Sequence, residues 1–445
     1  MSEPWLTVIG IGDNGLDSLS GDALGCLIRS KVIVVSERLV QVTDRIYDIR
    51  RTSIPPSVPS GHLPLKGEMS AQPTERGEEA VTILKWSDGY QSTLATILER
   101  RGTPVTILAT GDPMHFGIGS TLLKHVAPEE MRVFPSPSAF SLADSRLGWP
   151  LQNVAQISLH GRAIETINRH VFRASRILAL TSDASTILSV AGLLVARGFG
   201  SSILTVLEHM GGAQERIVSM SAHAIAHETP AFDDFNTLAL DCVADADAVI
   251  WSPVTGLPDH AFLHDGQMTK REVRAATLSA LQPLPGKLLW DVGAGCGSVS
   301  IEWMRAASLC SAIAIEPKPE RLAMIAANAK NLGVPDLTII EGEAPAALGG
   351  LPQPDAIFIG GGITGEGVFE ACWAALKPGG RLVANAVTLE GEARLIGLRA
   401  VHGGDMTRIS VSHATPVGRY CGWKSLMPVT LWSVVKPRAA EEVTP

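Results

Sequence analysis

The sequence lacks the features that mark several protein classes. No uncharged apolar stretch reaches the roughly 18 residues that a membrane-crossing helix requires. The opening MSEPWLTVIG has no basic residue ahead of its apolar run, and that run is too short for a secretory leader. The six cysteines, Cys26, Cys242, Cys296, Cys310, Cys372 and Cys421, include no C-x-x-C pair, so zinc and dithiol readings lack support. Six cysteines across 445 residues do not make a secreted disulfide scaffold either. Basic charge is in deficit: 37 Lys and Arg stand against 45 Asp and Glu, a net charge of −8. That argues against nucleic acid as a partner. It leaves room for a local basic pocket that takes a small acidic molecule. The expectation is a cytoplasmic protein acting on a small molecule, with no membrane partner and no metal.

What is present is the length and patterning of a two-domain α/β protein. A chain of 445 residues exceeds one typical domain. Its 45% hydrophobic and 18% charged residues are ordinary for a folded protein with a large core. Short apolar strands alternate with helical patterns almost throughout. In the first half, strands are predicted at residues 6–11, 31–35, 104–109, 177–180, 203–207 and 237–243. Residues 55–79 are rich in Pro, Gly and charge and read as an exposed insertion. Residues 244–266, with Pro253, Gly256 and Pro258, read as the junction, although VIWS (residues 249–252) has the composition of an ordered segment. A new helix is predicted from Thr269, with Glu272 completing a capping box and Val273, Ala276, Thr277 and Leu281 at helical spacing. The predicted domains are residues 1–245 and 266–437, joined by a linker at 246–265 and followed by a tail at 438–445. The halves show no internal repeat, which favours two different folds over a duplication.

The second half carries the clearer motif. A strand at 288–292 runs into Gly293, Ala294, Gly295, Cys296 and Gly297, and a helix follows at 298–305. Such a loop sits at the carboxyl edge of a parallel sheet, where α/β folds bind ligands, and its glycines let backbone approach the ligand. The spacing is G-x-G-x-G, not the G-x-G-x-x-G of dinucleotide enzymes. The next strand, 312–315, ends in Glu316, an acid placed to accept both hydroxyls of a ribose and to repel the 2′-phosphate of NADP. A third strand at 337–340 ends in Glu341-Gly342-Glu343-Ala344. A fourth at 356–359 opens onto Gly360-Gly361-Gly362, and LKPGGRLVANAV (residues 376–387) follows.

In the first half, Gly10, Gly12 and Gly15 form a formal G-x-G-x-x-G, with Glu37 after the next strand. Ser18, Ser20 and Asp22 place the helix start several residues beyond that loop, so it would not seat a pyrophosphate on a helix N-terminus. The stronger signal is ILATGDPMHFGIGSTLL (residues 107–123): a strand, then Gly111, Asp112 and Pro113, a glycine-rich turn and a helix.

The second half, with D-V-G-x-G-x-G, an acid closing its second strand and L-K-P-G-G-R-L, resembles the class I S-adenosylmethionine methyltransferases, which have a Rossmann-like fold. The first half resembles the tetrapyrrole methylases, a two-lobed α/β fold. GIGDNGLDSLS, the Gly-Asp-Pro turn, PSPSAFSLADSRLGWP (residues 135–150) and LEHMGGAQERI (residues 207–217) carry that likeness. Asp13-Asn14 stand where that family often has Pro. Their succession, with T-K-R-E-V-R at residues 269–274, resembles the fused, decarboxylating precorrin-6Y C5,15-methyltransferase family of cobalamin biosynthesis.

The resemblance implies S-adenosylmethionine in both halves and a tetrapyrrole substrate, precorrin-6B. The first half would methylate C5. The second would methylate C15 and remove the C12 acetate carboxylate, giving precorrin-8X. It implies cofactor contacts at Gly111, Asp112 and Pro113, with Gly117-Ile118 nearby and Thr181-Ser182 opposite. In the second half it implies Thr269, Gly293, Ala294, Gly295, Cys296 and Gly297 toward the methionine end, Glu316 on the ribose, and Glu343 and Ala344 beside the adenine. Self-association into a homo-oligomer is implied as well. Methyl transfer is an in-line displacement that needs positioning more than metal chemistry. Lys270, Arg271, Arg274, Arg162, Arg169, Arg173 and Arg176 are candidates to hold substrate carboxylates. Asp291 is a candidate to fix the glycine loop, and His160 and Glu390 to manage protons. No residue is assigned as catalytic. The competing readings are a nicotinamide oxidoreductase built on residues 10–15, a second half that modifies RNA or protein, and a pair in which one half is an inactive module.

Overall fold

A computed structural model describes residues 4–53, 81–86 and 89–438. The predicted insertion at 55–79 and the tail beyond Arg438 lie outside the described residues. The chain divides into two compact units. One comprises residues 1–160, 175–192 and 201–241, and the other residues 161–174, 193–200 and 242–445.

The first unit contains two five-stranded sheets. The strands β1 (Leu6–Ile11), β2 (Val32–Val35), β3 (Thr82–Lys85), β4 (Val105–Thr110) and β5 (Met131–Phe134) form a parallel sheet in the order β3-β2-β4-β1-β5. Alternate residues feed opposite faces. Leu6, Val8, Val32, Val34, Val105 and Ile107 pack in one cluster, and Ile9, Ile11, Ile33, Val35 and Leu108 in another. Strands buried on both faces read as continuous apolar runs, which is why VIVV and VTILA were legible. The second sheet is mixed. It holds β6 (Ala155–Ser158), β7 (Arg176–Leu180), β8 (Ile203–Glu208), β9 (Arg216–Ser221) and β10 (Asn236–Asp241) in the order β6-β7-β10-β8-β9.

The second unit is built on one seven-stranded sheet. Its members are β11 (Leu288–Val292), β12 (Ser311–Glu316), β13 (Thr338–Glu341), β14 (Ala356–Ile359), β15 (Arg381–Ala386), β16 (Asp405–Ile409) and, beyond a two-stranded ribbon of β17 (Ser412–Val417) and β18 (Tyr420–Ser425), β19 (Val429–Val435). The order is β13-β12-β11-β14-β15-β19-β16, parallel from β13 to β15, with β19 antiparallel to both its neighbours. The chain moves outward from β11 through β12 to β13, then returns to β14 on the other side. β11 and β14 therefore flank the switch point, where doubly wound sheets open a crevice at their carboxyl ends.

One expectation is corrected here. The helix Arg271–Leu281 is capped by the backbone of Lys270 with no side-chain cap, not by a Thr269–Glu272 capping box. Asp259 takes that role: its Oδ1 accepts from Arg271 N at 3.0 Å, and Glu272 lies 3.1 Å from Arg271 instead. Residues 249–252, in the predicted linker, form no strand but are tied down. Val249 N donates to Arg197 O at 3.1 Å, and the Arg305 guanidinium donates to Ser252 O at 2.8 Å.

Candidate functional sites

In the second unit, the loop after β11 forms one wall of a cavity of about 790 Å³. Gly293, Ala294, Gly295, Glu316, Ala344 and Thr269 all line it, so the fold gathers six of the predicted contacts into one place. Gly293 has φ +72°, and a Cβ there would stand 3.2 Å from Gly361 N. The backbone runs directly into the helix Ser298–Ala306, with Gly297 as its N-cap. Cys296 and Gly297 are not among the cavity's lining residues. Cys296 is 2% exposed and packs into the core beside Val299 and Ile325, and burial pushes its thiol pKa up. That environment suits an inert small side chain, not a nucleophile.

Three acidic or amide side chains arm the carboxyl edge of the sheet on one face. Glu316, 2% exposed, accepts from Gly295 N at 2.8 Å and from Lys318 N at 3.3 Å, with Arg321 at 3.7 Å. Arg321 also bonds Asp265 at 2.7 Å and Gln267 at 2.7 Å, so it clamps the cavity lip. Its guanidinium holds the Asp265 carboxyl below the usual range. Asp291 accepts through Oδ2 from Ser300 N at 3.0 Å and from the Ser300 hydroxyl, fastening β11 to the first turn of the following helix. Its Oδ1 is buried without a partner. Burial raises the Asp291 pKa to about 6, Glu316 nearby adds to the rise, and the Ser300 bonds oppose it. The third is Asn385, which sequence reasoning missed.

Of the predicted carboxylate holders, Lys270 lines the cavity. Arg274 does not serve that role, which corrects the expectation. It is 0% exposed and fully committed, to Glu302 at 2.7 Å, to Asp259 at 3.3 Å, and to the carbonyls of Thr269 at 2.6 Å and Leu257. Glu302, itself 1% exposed, accepts from Gly256 N at 2.5 Å and Leu257 N at 3.0 Å. A charge buried this deeply is tolerable only when paired and hydrogen-bonded, and Arg274 makes four hydrogen bonds to these partners. Arg271 is exposed and paired with Glu272, and Glu390 is exposed. Arg169 donates to His170, whose pKa burial lowers to about 4. Arg162 and Arg173 are exposed.

The first unit brings its two glycine motifs together. Gly10, near the end of β1, pairs with Ala109, and a Cβ on it would lie 2.4 Å from Gly111 O and 2.8 Å from Ser136 N. Gly111 N donates to Ile11 O at 2.9 Å, and Asp112 Oδ1 accepts from Met114 N at 2.8 Å, which shapes the turn that Pro113 continues. Gly117 caps the short helix Ile118–Leu122. Thr181 donates to Asn236 Oδ1 at 2.8 Å, and His160 Nδ1 lies 3.3 Å from Thr181 O. Arg176 lies over the Trp149 ring and 3.9 Å from Asp241. After β1 the chain makes a single 3-10 turn, Gly15–Ser18, before the helix Gly21–Arg29 begins with Ser20 accepting from Ala23 N at 3.2 Å. The loop therefore presents no helix N-terminus to a pyrophosphate. A cavity of about 310 Å³ opens beside it, lined by Gly12, Asp13, Arg38, Arg45, Thr110 and Phe235 among others. The Arg38 guanidinium stacks 3.2 Å over Phe235, and its burial lowers its pKa against the pull of Asp13.

Among the described residues, no group of His, Cys, Asp and Glu is placed to hold a metal ion, and no helix is long and apolar enough to cross a membrane.

Two family models match the chain in succession. Tetrapyrrole (corrin/porphyrin) methylases match residues 6–226, and the precorrin methyltransferase domain matches residues 260–436. A Sinorhizobium protein named precorrin-6Y C(5,15)-methyltransferase (decarboxylating) is 46% identical over 437 residues, which cover 97% of each chain. A Mycobacterium tuberculosis protein of the same name is 36% identical over 432 residues, 97% of this chain and 100% of its own. A Pyrobaculum calidifontis protein named probable cobalt-precorrin-6B C(15)-methyltransferase (decarboxylating) is 35% identical over 181 residues, 39% of this chain but 92% of its own.

Proposed function

The chain belongs to the precorrin-6Y C(5,15)-methyltransferase (decarboxylating) family, and from that premise we propose that it converts precorrin-6B to precorrin-8X with two molecules of S-adenosylmethionine. The observation that carries this reading is the ordered pair of unlike methyltransferase halves along one chain. C15 methylation and decarboxylation of the C12 acetate are assigned to the second unit, which carries the precorrin methyltransferase domain. C5 methylation then falls to the first.

S-adenosylmethionine supplies an electrophilic methyl group when bound. The residues around the larger cavity suit it. Glu316 offers a buried carboxylate for paired hydroxyls, and the backbone of Gly293 and Gly295, free of side chains, leaves room at the wall. Ala344 and Glu343 also line the cavity, and we assign them to the adenine. Val273, Val387, Leu426 and Val429 give the cavity apolar wall, which suits a carbon nucleophile. Lys270 is placed to meet a substrate carboxylate there. In the first unit, we assign cofactor contact to the backbone around Gly111, Asp112 and Pro113. Alkylation at carbon needs the macrocycle held in line with the methyl donor.

Mass spectrometry of a reaction with precorrin-6B and S-adenosylmethionine tests the reading. The expected product has gained two methyl groups and lost one carbon dioxide. A product with neither change overturns it.

A further inference from the structure

Resting on the reading of the larger cavity as the C15 site, we propose that Asn385 binds the tetrapyrrole there, its side-chain carbonyl accepting a hydrogen bond from a ring N–H. After its first residue, β15 is otherwise apolar: Leu382, Val383, Ala384 and Ala386 are all buried. An amide in such a strand costs stability unless both its ends are matched. One end is. Asn385 Nδ2 donates to Thr277 Oγ1 at 2.9 Å, and Thr277 Oγ1 donates to Val273 O at 2.8 Å. A hydroxyl has a single proton, so Thr277 can only accept from Asn385. The amide nitrogen must therefore face Thr277, and the carbonyl must face away. That oxygen, Oδ1, is buried and has no hydrogen-bond partner, while Asn385 lines the cavity. A buried acceptor without a donor is rare in folded proteins, and a ligand donor resolves it.

Its place in the sheet says which ligand. Glu316 closes β12, and the order β12-β11-β14-β15 puts Asn385 three strand intervals away, about 14 Å at ~4.8 Å each. Asn385 shares its face of β15 with Val383, which packs in the same cluster as Ala312 and Ala314 on the Glu316 face of β12. It thus stands well beyond the ribose end, near the apolar walls of Val273, Val387 and Val429. A neutral acceptor there repels a carboxylate and selects a donor. Among the groups of a reduced tetrapyrrole, ring N–H groups are donors that lie in the plane an apolar slot would grip. Accepting that N–H also polarises it toward the amide, which raises electron density on the conjugated carbon that takes the methyl.

The test uses the full chain. Asn385→Leu removes the acceptor at similar volume. We expect kcat/KM for C15 methylation to fall about 10- to 100-fold. Singly methylated product should accumulate, with S-adenosylmethionine bound per chain, measured by equilibrium dialysis, as in the wild type. Asn385→Asp keeps an acceptor and should recover part of the rate. Thr277→Val frees the amide to turn and should raise KM several-fold. Wild-type kcat/KM in an Asn385→Leu chain that still binds the cofactor overturns the proposal. If that variant fails to fold, an unchanged KM in Thr277→Val overturns it instead. A wild-type chain that never adds the second methyl overturns the functional reading itself, and that result precedes any comparison of variants.

Discussion

Two glycine loops follow two central parallel strands in this chain, and they are built for different tasks. After β11 the chain turns through three positive-φ glycines straight into a helix at Ser298. After β1 it wanders through a 3-10 turn and reaches its helix only at Gly21. In the second unit Gly293 and Gly295 line the larger cavity. Gly10 of the first unit serves internal packing, because the backbone of Gly111 and Ser136 occupies the place of its missing Cβ. The fastenings differ too. The second loop hangs on the buried carboxylates of Glu316 and Asp291, whereas Asp13 in the first has a partly exposed His209 at 3.3 Å. The two spacings thus go with two arrangements: G-x-G-x-G lines a cavity, and the first glycine of G-x-G-x-x-G packs against neighbouring backbone.

The sharpest way to separate them is Glu316→Ala. It removes a carboxylate proposed to meet two hydroxyls and leaves Gly295 N without its partner. Hydrogen bonds to a charged group are worth roughly 1.5–3 kcal/mol each, so cofactor affinity at the second unit should fall about 100-fold or more. C5 methylation should continue, and the mass spectrum should show one added methyl. Undiminished double methylation would remove Glu316 from the ribose site.

A second, smaller effect follows from Asp291. Burial raises its pKa from 3.8 to about 6, so folding favours the protonated form. Its full contribution to stability is present below the unfolded value and is lost as pH rises through about 6. The rise corresponds to about 3 kcal/mol. Asp291→Asn should abolish this part of the pH dependence, so its melting temperature should gain on the wild type between about pH 4 and pH 8. Parallel melting curves for the two proteins across that range would show that the fold does not favour protonated Asp291.

The smallest effect tests the first loop. Gly10→Ala forces a Cβ against backbone and should cost about 1–3 kcal/mol, with C5 methylation impaired. Gly12→Ala meets only the Asn14 side chain, at 2.7 Å, which can move, so its cost should be within about 0.5 kcal/mol. Equal losses in thermal unfolding for the two variants would contradict the packing role given to Gly10.

The strands and both loops were legible because buried parallel strands are apolar runs and turns need glycine. VIVV, LLWDV and AIFI were readable within a residue of their observed ends. Side-chain partners were not legible. Arg274 looked like a surface cation, because nothing in T-K-R-E-V-R shows that Glu302, one helix later, lies against it out of water. Thr269 looked like a cap because the competing acceptor, Asp259, comes from a stretch that reads as linker. Asn385 carried one weak signal, a lone amide in the apolar strand LVANAV, and its meaning depended on Thr277, 108 positions earlier.

The buried Arg274–Glu302 pair has a practical consequence for anyone dividing the gene. Its partners include the backbone of Gly256 and Leu257 and the side chain of Asp259, all upstream of the helix Arg271–Leu281. A fragment begun at residue 262 would keep both charges and discard half of what neutralises and solvates them. A fragment begun ahead of Ser252 keeps these partners together with the Ser252 carbonyl that Arg305 holds.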